Sequence, residues 1–182
     1  MKFDRESMLL YAVTDRTWLN GRTLPELVEQ AILGGTTFVQ LREKNVTDTE
    51  FLSIAEQVKK VTDQYHVPFI INDNIEVALK ADADGVHVGQ KDMEAGNVRE
   101  LIGKDKILGV SAQTVEQALA AERSGADYLG VGAVFSTATK QDAQNVGISV
   151  LKEICRAVSI PVVAIGGINA YNIKELKGSG IA

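Results

Sequence analysis

Ala81-Asp82-Ala83-Asp84-Gly85-Val86-His87-Val88-Gly89-Gln90-Lys91-Asp92 compresses one structural repeat into a single stretch: a small-residue turn, a short β-rich run, then a polar cluster. The same grammar recurs on both sides of it. Gly34-Gly35-Thr36-Thr37 leads into Phe38, and Ser124-Gly125-Ala126-Asp127 leads into Tyr128. In each case a glycine or small residue can close a preceding helix in a left-handed cap before the chain enters a sheet. The β-rich runs are continuous rather than alternating, as expected of strands covered on both faces. Between them lie helical periodicities. Leu24, Leu27, Val28, Ala31 and Ile32 share one helix face, as do Phe51, Ile54, Ala55 and Val58, and again Leu151, Ile154, Cys155 and Val158. Thr47 with Glu50, and Thr114 with Gln117, have capping-box spacing that marks helix starts.

This alternation predicts a parallel α/β sheet. Strands are expected near 8–13, 37–42, 68–72, 85–89, 106–110, 128–134 and 161–165. A doubly wound open sheet would carry a glycine-rich loop after its first strand. Here that strand runs into Thr14-Asp15-Arg16 instead. The expected fold class is therefore α/β, a TIM (β/α)8-type barrel lacking the eighth βα unit in this chain. The expected organisation is one barrel domain over residues 1–182, C-terminally incomplete, since Lys177-Gly178-Ser179-Gly180 reads as one more strand-entry turn followed only by Ile181-Ala182.

Composition bounds the function. Hydrophobic residues make up 45% and charged residues 24% of the 182, ordinary for a globular protein. A net charge of −5 argues against nucleic acid, whose phosphate backbone calls for a basic face. Cys155 is the single cysteine, which excludes a disulfide framework and a thiolate metal cluster. The chain has no apolar stretch of membrane-span length, and its charged start does not read as a signal peptide, so the expected location is cytoplasmic, away from membranes.

The ends of the β-runs carry the chemistry, because a barrel enzyme's active face is built at the C-terminal ends of its strands. Gln40, Arg42 and Lys44 alternate and so share one face; two cations there suit a pyrophosphate, with Arg gripping bidentately and Lys acting as a point charge. The competing reading is a solvated strand end with Glu43 as ion partner. Asp73 and Asp92 end the third and fourth runs, and a few hard oxygen ligands suit a Mg²⁺ that keeps waters and takes phosphate oxygens. Against this, Asn72-Asp73-Asn74 would also serve as a plain helix N-terminus. Ser111 could form an anion site with the start of the following helix, or simply cap it, as could Thr114. Thr137, Thr139 and Lys140 fall in the longest loop, roughly 136–147, where a lysine could follow a departing phosphate. Gly166-Gly167 permits close backbone approach to a phosphate monoester. His87, inside a β-run, reads as a hydrogen-bonded core histidine.

The series Gln40-Leu-Arg-Glu-Lys44, Ile71-Asn-Asp73, His87-Val-Gly-Gln-Lys-Asp92, Gly109-Val-Ser-Ala-Gln-Thr114, Ser136-Thr-Ala-Thr-Lys140 and Ala164-Ile-Gly-Gly-Ile168 resembles thiamine-phosphate synthase, from about Tyr11 to the last residue. The resemblance implies a TIM-barrel transferase. It joins 4-amino-2-methylpyrimidine-5-methyl diphosphate to a thiazole phosphate and releases diphosphate by a dissociative mechanism with Mg²⁺ bound. It further implies that Asp73 and Asp92 hold the Mg²⁺ and that Arg42, Lys44, Ser111 and Lys140 act on the diphosphate. Gln40 and Asn72 would contact the pyrimidine; Thr137, Thr139 and Gly167 would face the thiazole phosphate. Many family members have histidine where this chain has Gln113; the resemblance implies that the related thiazole tautomerase uses a histidine in that motif, so Gln113 with intact Arg42, Lys44 and Asp92 favours the synthase. The alternatives are a truncated, non-catalytic or thiazole-tautomerase-like paralogue that binds a thiamine precursor or a partner, and, more remotely, another phosphate-handling isomerase. The expected partners are small-molecule substrates, together with self-association through the edges of an open barrel.

Overall fold

The computed structural model describes residues 4–90, 95–137 and 145–182. Strands and helices alternate through the chain: β1 Tyr11–Val13, α1 Leu24–Leu33, β2 Phe38–Leu41, α2 Asp48–Gln64, β3 Phe69–Asn72, α3 Ile75–Lys80, β4 Gly85–Val88, α4 Ala95–Ile102, β5 Ile107–Ala112, α5 Val115–Arg123, β6 Tyr128–Val131, α6 Gly147–Ala157 and β7 Val162–Ala164. The seven strands are ordered sequentially, β1 to β7. Sequential order with an intervening helix is the topology of a TIM (β/α)8-type fold carried through seven units, as the sequence predicts. The first strand begins later than expected, because residues Glu6–Met8 form a 3-10 turn. The sixth is shorter than expected and ends at Val131.

The chain divides into two compact units: Met1–His87 with Leu101–Ile107, and Val88–Glu100 with Leu108–Ala182. In the first, β1, β2, β3 and β4 pair in parallel, with Val13 opposite Gln40, Leu41 opposite Ile71, and Asn72 opposite His87. Its core is Phe38, Val39, Leu41, Phe69, Ile70 and Ile71 from the strands, with Phe51, Ala55 and Val58 from α2. Each large apolar side chain buried there contributes about 1.5–3 kcal/mol. α1 starts at a full capping box: Thr23 accepts from the Glu26 N–H, and Glu26 accepts from the Thr23 N–H. At α2 the expected box is half formed. Thr47 accepts from the Glu50 N–H at 3.2 Å, while the Glu50 carboxylate turns to Arg16.

The second unit pairs β5, β6 and β7 in parallel, with Ser111 opposite Gly130 and Val131 opposite Ala164. Its core includes Leu108, Val110, Tyr128, Leu129, Leu151 and Ile154. Gly109 is required there, because a Cβ on it would fall 2.2 Å from the Tyr128 ring. Thr114, rather than Ser111, caps α5, accepting from the Gln117 N–H. Cys155 lies half-buried on α6.

One device is used in both units. The Asp84 N–H donates to the Phe69 carbonyl (2.8 Å), and the Phe69 N–H donates back to the Asp84 carboxylate (2.9 Å). Asp127 repeats this with Leu108, at 2.8 and 2.7 Å. Each strand-entry aspartate thus satisfies an N–H at the start of an earlier strand, Phe69 the first residue of β3 and Leu108 the second of β5, a donor that would otherwise be left without a partner at the sheet's end.

Candidate active site

In the first unit the site is built where β1, β2 and β3 end. The Thr14 N–H donates to the Gln40 carbonyl (3.0 Å), and the Thr14 Oγ1 accepts from the Arg42 N–H (2.9 Å). This buried threonine therefore extends the β1–β2 pairing past the last ladder residue and sets the backbone that carries Arg42 and Lys44. Gln40 is only 4% exposed, and its Nε2 donates to the Tyr11 hydroxyl. The tyrosine ring is itself held edge-on to Phe38, with centroids 4.8 Å apart.

Glu43 is not the ion partner of its neighbours. Its side chain is fully buried and accepts from the Arg16 Nε, while the Arg16 guanidinium also reaches Glu50 on α2 at 3.2 Å. The second Glu43 oxygen, Oε1, is buried with no hydrogen-bond partner among the described residues. The Arg16 guanidinium is pushed above its ordinary pKa, chiefly by the hydrogen bond it donates to Glu43. Neither Arg42 nor Lys44 forms an ion pair among the described residues. Asp15, which the sequence reading did not single out, caps the 3-10 turn Arg16–Trp18 by accepting from the Thr17 N–H and hydroxyl. Those two bonds hold its carboxyl below the usual range, and the charges of Arg42 and Lys44 add to the effect.

At the end of β3 the structure separates two roles that adjacent residues could both fill. Asn74 caps α3, accepting from the Val77 N–H at 2.9 Å and donating to Asp48 at 3.0 Å. Asp73 is thereby relieved of capping. It sits at φ 62°, in the left-handed region, with its N–H on the His87 carbonyl (2.8 Å). Asn72 is half-buried on the last position of β3, opposite His87. Among the described residues no three His, Cys, Asp or Glu side chains gather to enclose a metal. A single strand-end carboxylate beside an amide is the donor chemistry of an ion that keeps its waters and takes its other ligands from phosphate, and in that sense Asp73 fits Mg²⁺.

In the second unit, Ser111 lies within β5, with its carbonyl accepting from the Gln90 Nε2 at 2.6 Å. Gln113 turns its Nε2 toward the Gly132 carbonyl at 3.4 Å, and its N–H is taken by Gln117. After β7 both glycines have positive φ, 99° at Gly166 and 66° at Gly167. A Cβ on Gly167 would stand 2.5 Å from the Ser136 carbonyl oxygen. The structure thus brings Gly167 against Phe135 and Ser136, the latter opening the Ser136–Lys140 motif, so two motifs that lie far apart in the chain meet. Asp92, Thr139 and Lys140 lie outside the described residues. A cavity of ≈ 130 Å³ between β1 and α1 is lined mainly by apolar side chains such as Ala12, Val28 and Val39, with Thr14 and Asp15 at its strand-end side, and is not lined by Gln40, Arg42, Lys44, Asn72 or Asp73. No helix among the described residues is long and apolar enough to cross a membrane.

Parallel strands with polar residues at their C-terminal ends define the class, an α/β enzyme of the barrel type. Residues 10–182 match the family model described as thiamine monophosphate synthase. The thiamine-phosphate synthase of Clostridium tetani is 59% identical over 172 residues, covering 94% of this chain and 82% of that protein. That of Ruminiclostridium cellulolyticum matches to the same extent. The solved structure of a thiamine phosphate pyrophosphorylase from Pyrococcus furiosus superposes with a TM-score of 0.89 at 41% identity, covering 97% of this chain and 84% of that one. The chain belongs to the thiamine monophosphate synthase family, transferases of thiamine biosynthesis.

Proposed function

We propose that this protein joins 4-amino-2-methylpyrimidine-5-methyl diphosphate to a thiazole phosphate, forming thiamine phosphate and releasing diphosphate. The observation that carries this reading is the state of the β2 rim. Arg42 and Lys44 flank a glutamate that Arg16 occupies, so neither cation is neutralised by contact within the described residues. Two cations on a braced backbone close to Asp15, on the strand paired with the one that Asp73 follows, are suited to an anion carried by a metal.

In this reading Arg42 and Lys44 bind the diphosphate oxygens, with Ser111 and Lys140 as further donors. Negative charge grows on the diphosphate as its bond to the pyrimidine methylene breaks. Fixed cations therefore stabilise the transition state more than the ground state. Departure of diphosphate leaves a pyrimidine-methyl cation, which the thiazole nitrogen captures. The pyrimidine's own amino group feeds electron density to that cation, so the protein need not supply a nucleophile. Gln40 and Asn72 orient the pyrimidine; the Tyr11 hydroxyl occupies the Gln40 amide group and leaves its carbonyl oxygen to accept from the substrate. Thr137, Thr139 and Gly167 face the thiazole phosphate. Asp73 and Asp92 would hold Mg²⁺, which when bound neutralises charge on the leaving diphosphate. Gln113, engaged with a backbone carbonyl, performs no proton transfer here.

The reading includes a cytoplasmic location and self-association through the edges of β1 and β7, the end strands of the sheet. Incubation with both substrates and Mg²⁺, followed by chromatography of thiamine phosphate, tests the reaction. Product well above an enzyme-free control is expected, and its absence rejects the proposal.

A further inference from the structure

The segment after β7 contains a clasp that the reaction above leaves unexplained. Asn172 stands at the N-cap position of the 3-10 turn Ile173–Leu176, yet its side chain makes no capping bond. Its carboxamide spans the preceding loop instead. Nδ2 donates to the Gly167 carbonyl at 2.9 Å, and Oδ1 accepts from the Asn169 N–H at 2.8 Å. Asn169 adds a second, longer bond to the same carbonyl (3.3 Å), and its Oδ1 accepts from the N–H groups of Tyr171 and Asn172. An asparagine that forgoes its cap to hold a carbonyl five residues upstream is serving that carbonyl.

The peptide plane says why the carbonyl matters. In a trans peptide C=O and N–H point in opposite directions, so fixing the Gly167 oxygen on the Asn172 side directs the Ile168 N–H to the opposite side. The N–H groups of Gly167 and Ile168 have no partner among the described residues. Gly167 itself lies close to Phe135 and Ser136, which restricts the room its Cα has to compensate if the peptide turns. Successive backbone N–H groups in a left-handed turn form a concavity for anions, and its affinity depends on their directions being fixed beforehand.

We infer that Asn172 is a positioning residue for the thiazole substrate: by clamping the Gly167 carbonyl it aims the Ile168 N–H, next to the Gly167 N–H, at the phosphate monoester. The inference rests on the proposed reaction for the identity of the phosphate. Asn172 touches no substrate atom and acts only through the peptide plane it holds.

Calorimetric titration of the purified protein with thiazole phosphate, with inorganic phosphate and with pyrimidine diphosphate tests this, alongside thermal melting. Asn172→Ala is expected to weaken thiazole phosphate and inorganic phosphate together by about three- to tenfold, the range of one net hydrogen bond. Asn172→Asp keeps the acceptor for Asn169 but sets a carboxylate oxygen against the Gly167 carbonyl. It should weaken both phosphate ligands at least as much despite its near-identical shape. Pyrimidine diphosphate affinity and the melting temperature should stay at the parent values. Parent-like phosphate affinity in either variant overturns the inference, and so does a loss shared by pyrimidine diphosphate in step with a lower melting temperature. Failure of the reaction itself reads differently: the parent protein then forms no thiamine phosphate, whatever the two variants do to phosphate binding.

Discussion

Glu43 lies between Arg42 and Lys44 in the chain, yet its buried carboxylate accepts from the Nε of Arg16, 27 residues earlier. That choice ties the segment after β1 to the segment after β2. Because Arg16 also reaches Glu50, the start of α2 is drawn into the same network. Two cations are left for a ligand while the glutamate between them anchors the backbone beneath.

The anchor should be visible in stability. Arg16→Ala leaves the Glu43 carboxylate buried without a partner and should destabilise the fold by about 1–3 kcal/mol. Replacing both, as Arg16→Met with Glu43→Leu, should be less destabilising than Arg16→Ala alone, since no buried charge is then stranded. Urea unfolding of the three variants checks the order; a double variant weaker than the single one contradicts the pairing.

Arg42 and Lys44 should matter for binding and turnover rather than folding. Arg42→Ala and Lys44→Ala are each expected to lower kcat/KM for the pyrimidine diphosphate by about ten- to a hundredfold, as for a lost charge-assisted hydrogen bond of about 1.5–3 kcal/mol. Arg42→Lys should recover only part of the loss, because an ammonium cannot grip two oxygens in a plane. Melting temperatures within a degree or two of the parent would accompany the loss.

Asp73 and Asn74 are adjacent and should fail in opposite ways. Asp73→Asn is expected to abolish most turnover and raise the Mg²⁺ concentration needed for half-maximal rate, with stability near the parent's. Asn74→Ala removes the α3 cap and should lose about 1 kcal/mol of stability while retaining activity per folded molecule. Side-by-side melting curves and Mg²⁺ titrations separate the two. A Mg²⁺ dependence unchanged in Asp73→Asn removes the metal assignment.

Asp15 links the rim to pH. Its folded pKa lies below the ordinary 3.8, first because of the Thr17 bonds and then because of Arg42 and Lys44. A depressed carboxylate stabilises the fold above its unfolded pKa and loses that contribution as pH falls through the folded value. Parent and Asp15→Asn should therefore differ in stability at pH 6, with the gap beginning to narrow near the unfolded value of about 4 and closing only as pH falls through the lower folded value. A gap that persists or widens at low pH contradicts the assignment.

Asp127 tests the strand-entry device. Its carboxylate accepts from the Leu108 N–H and from Arg99, and Asp127→Ala strands a backbone donor at the start of β5. A loss of about 1–3 kcal/mol is expected, with Arg99→Ala milder because the Leu108 bond survives.

Much of this was legible in the residues themselves. The order of strands and helices follows from apolar periodicity, since burial on one face of a helix or on both faces of a strand is written locally in the spacing. The strand-end clusters and the family resemblance also come from contiguous motifs. Legibility stopped where one local pattern served two purposes. Thr47 with Glu50 has box spacing, yet Glu50 is taken by Arg16, a competitor 34 residues away. Asp84 and Asp127 read as turn residues, but their work is to receive a strand N–H from another part of the chain.

The sequence by itself determined the α/β order, the seven strands, the polar rim and the membership in a family of transferases, all of which depend on near neighbours or on motifs read in order. Only the tertiary structure decided that Arg16 occupies Glu43, that Asn74 rather than Asp73 caps α3, that Gln40 is held by Tyr11, and that Asn172 holds Gly167 beside Ser136. Each of those is a choice among polar groups of similar chemistry, and the winner is the group that the packed backbone brings within hydrogen-bond distance.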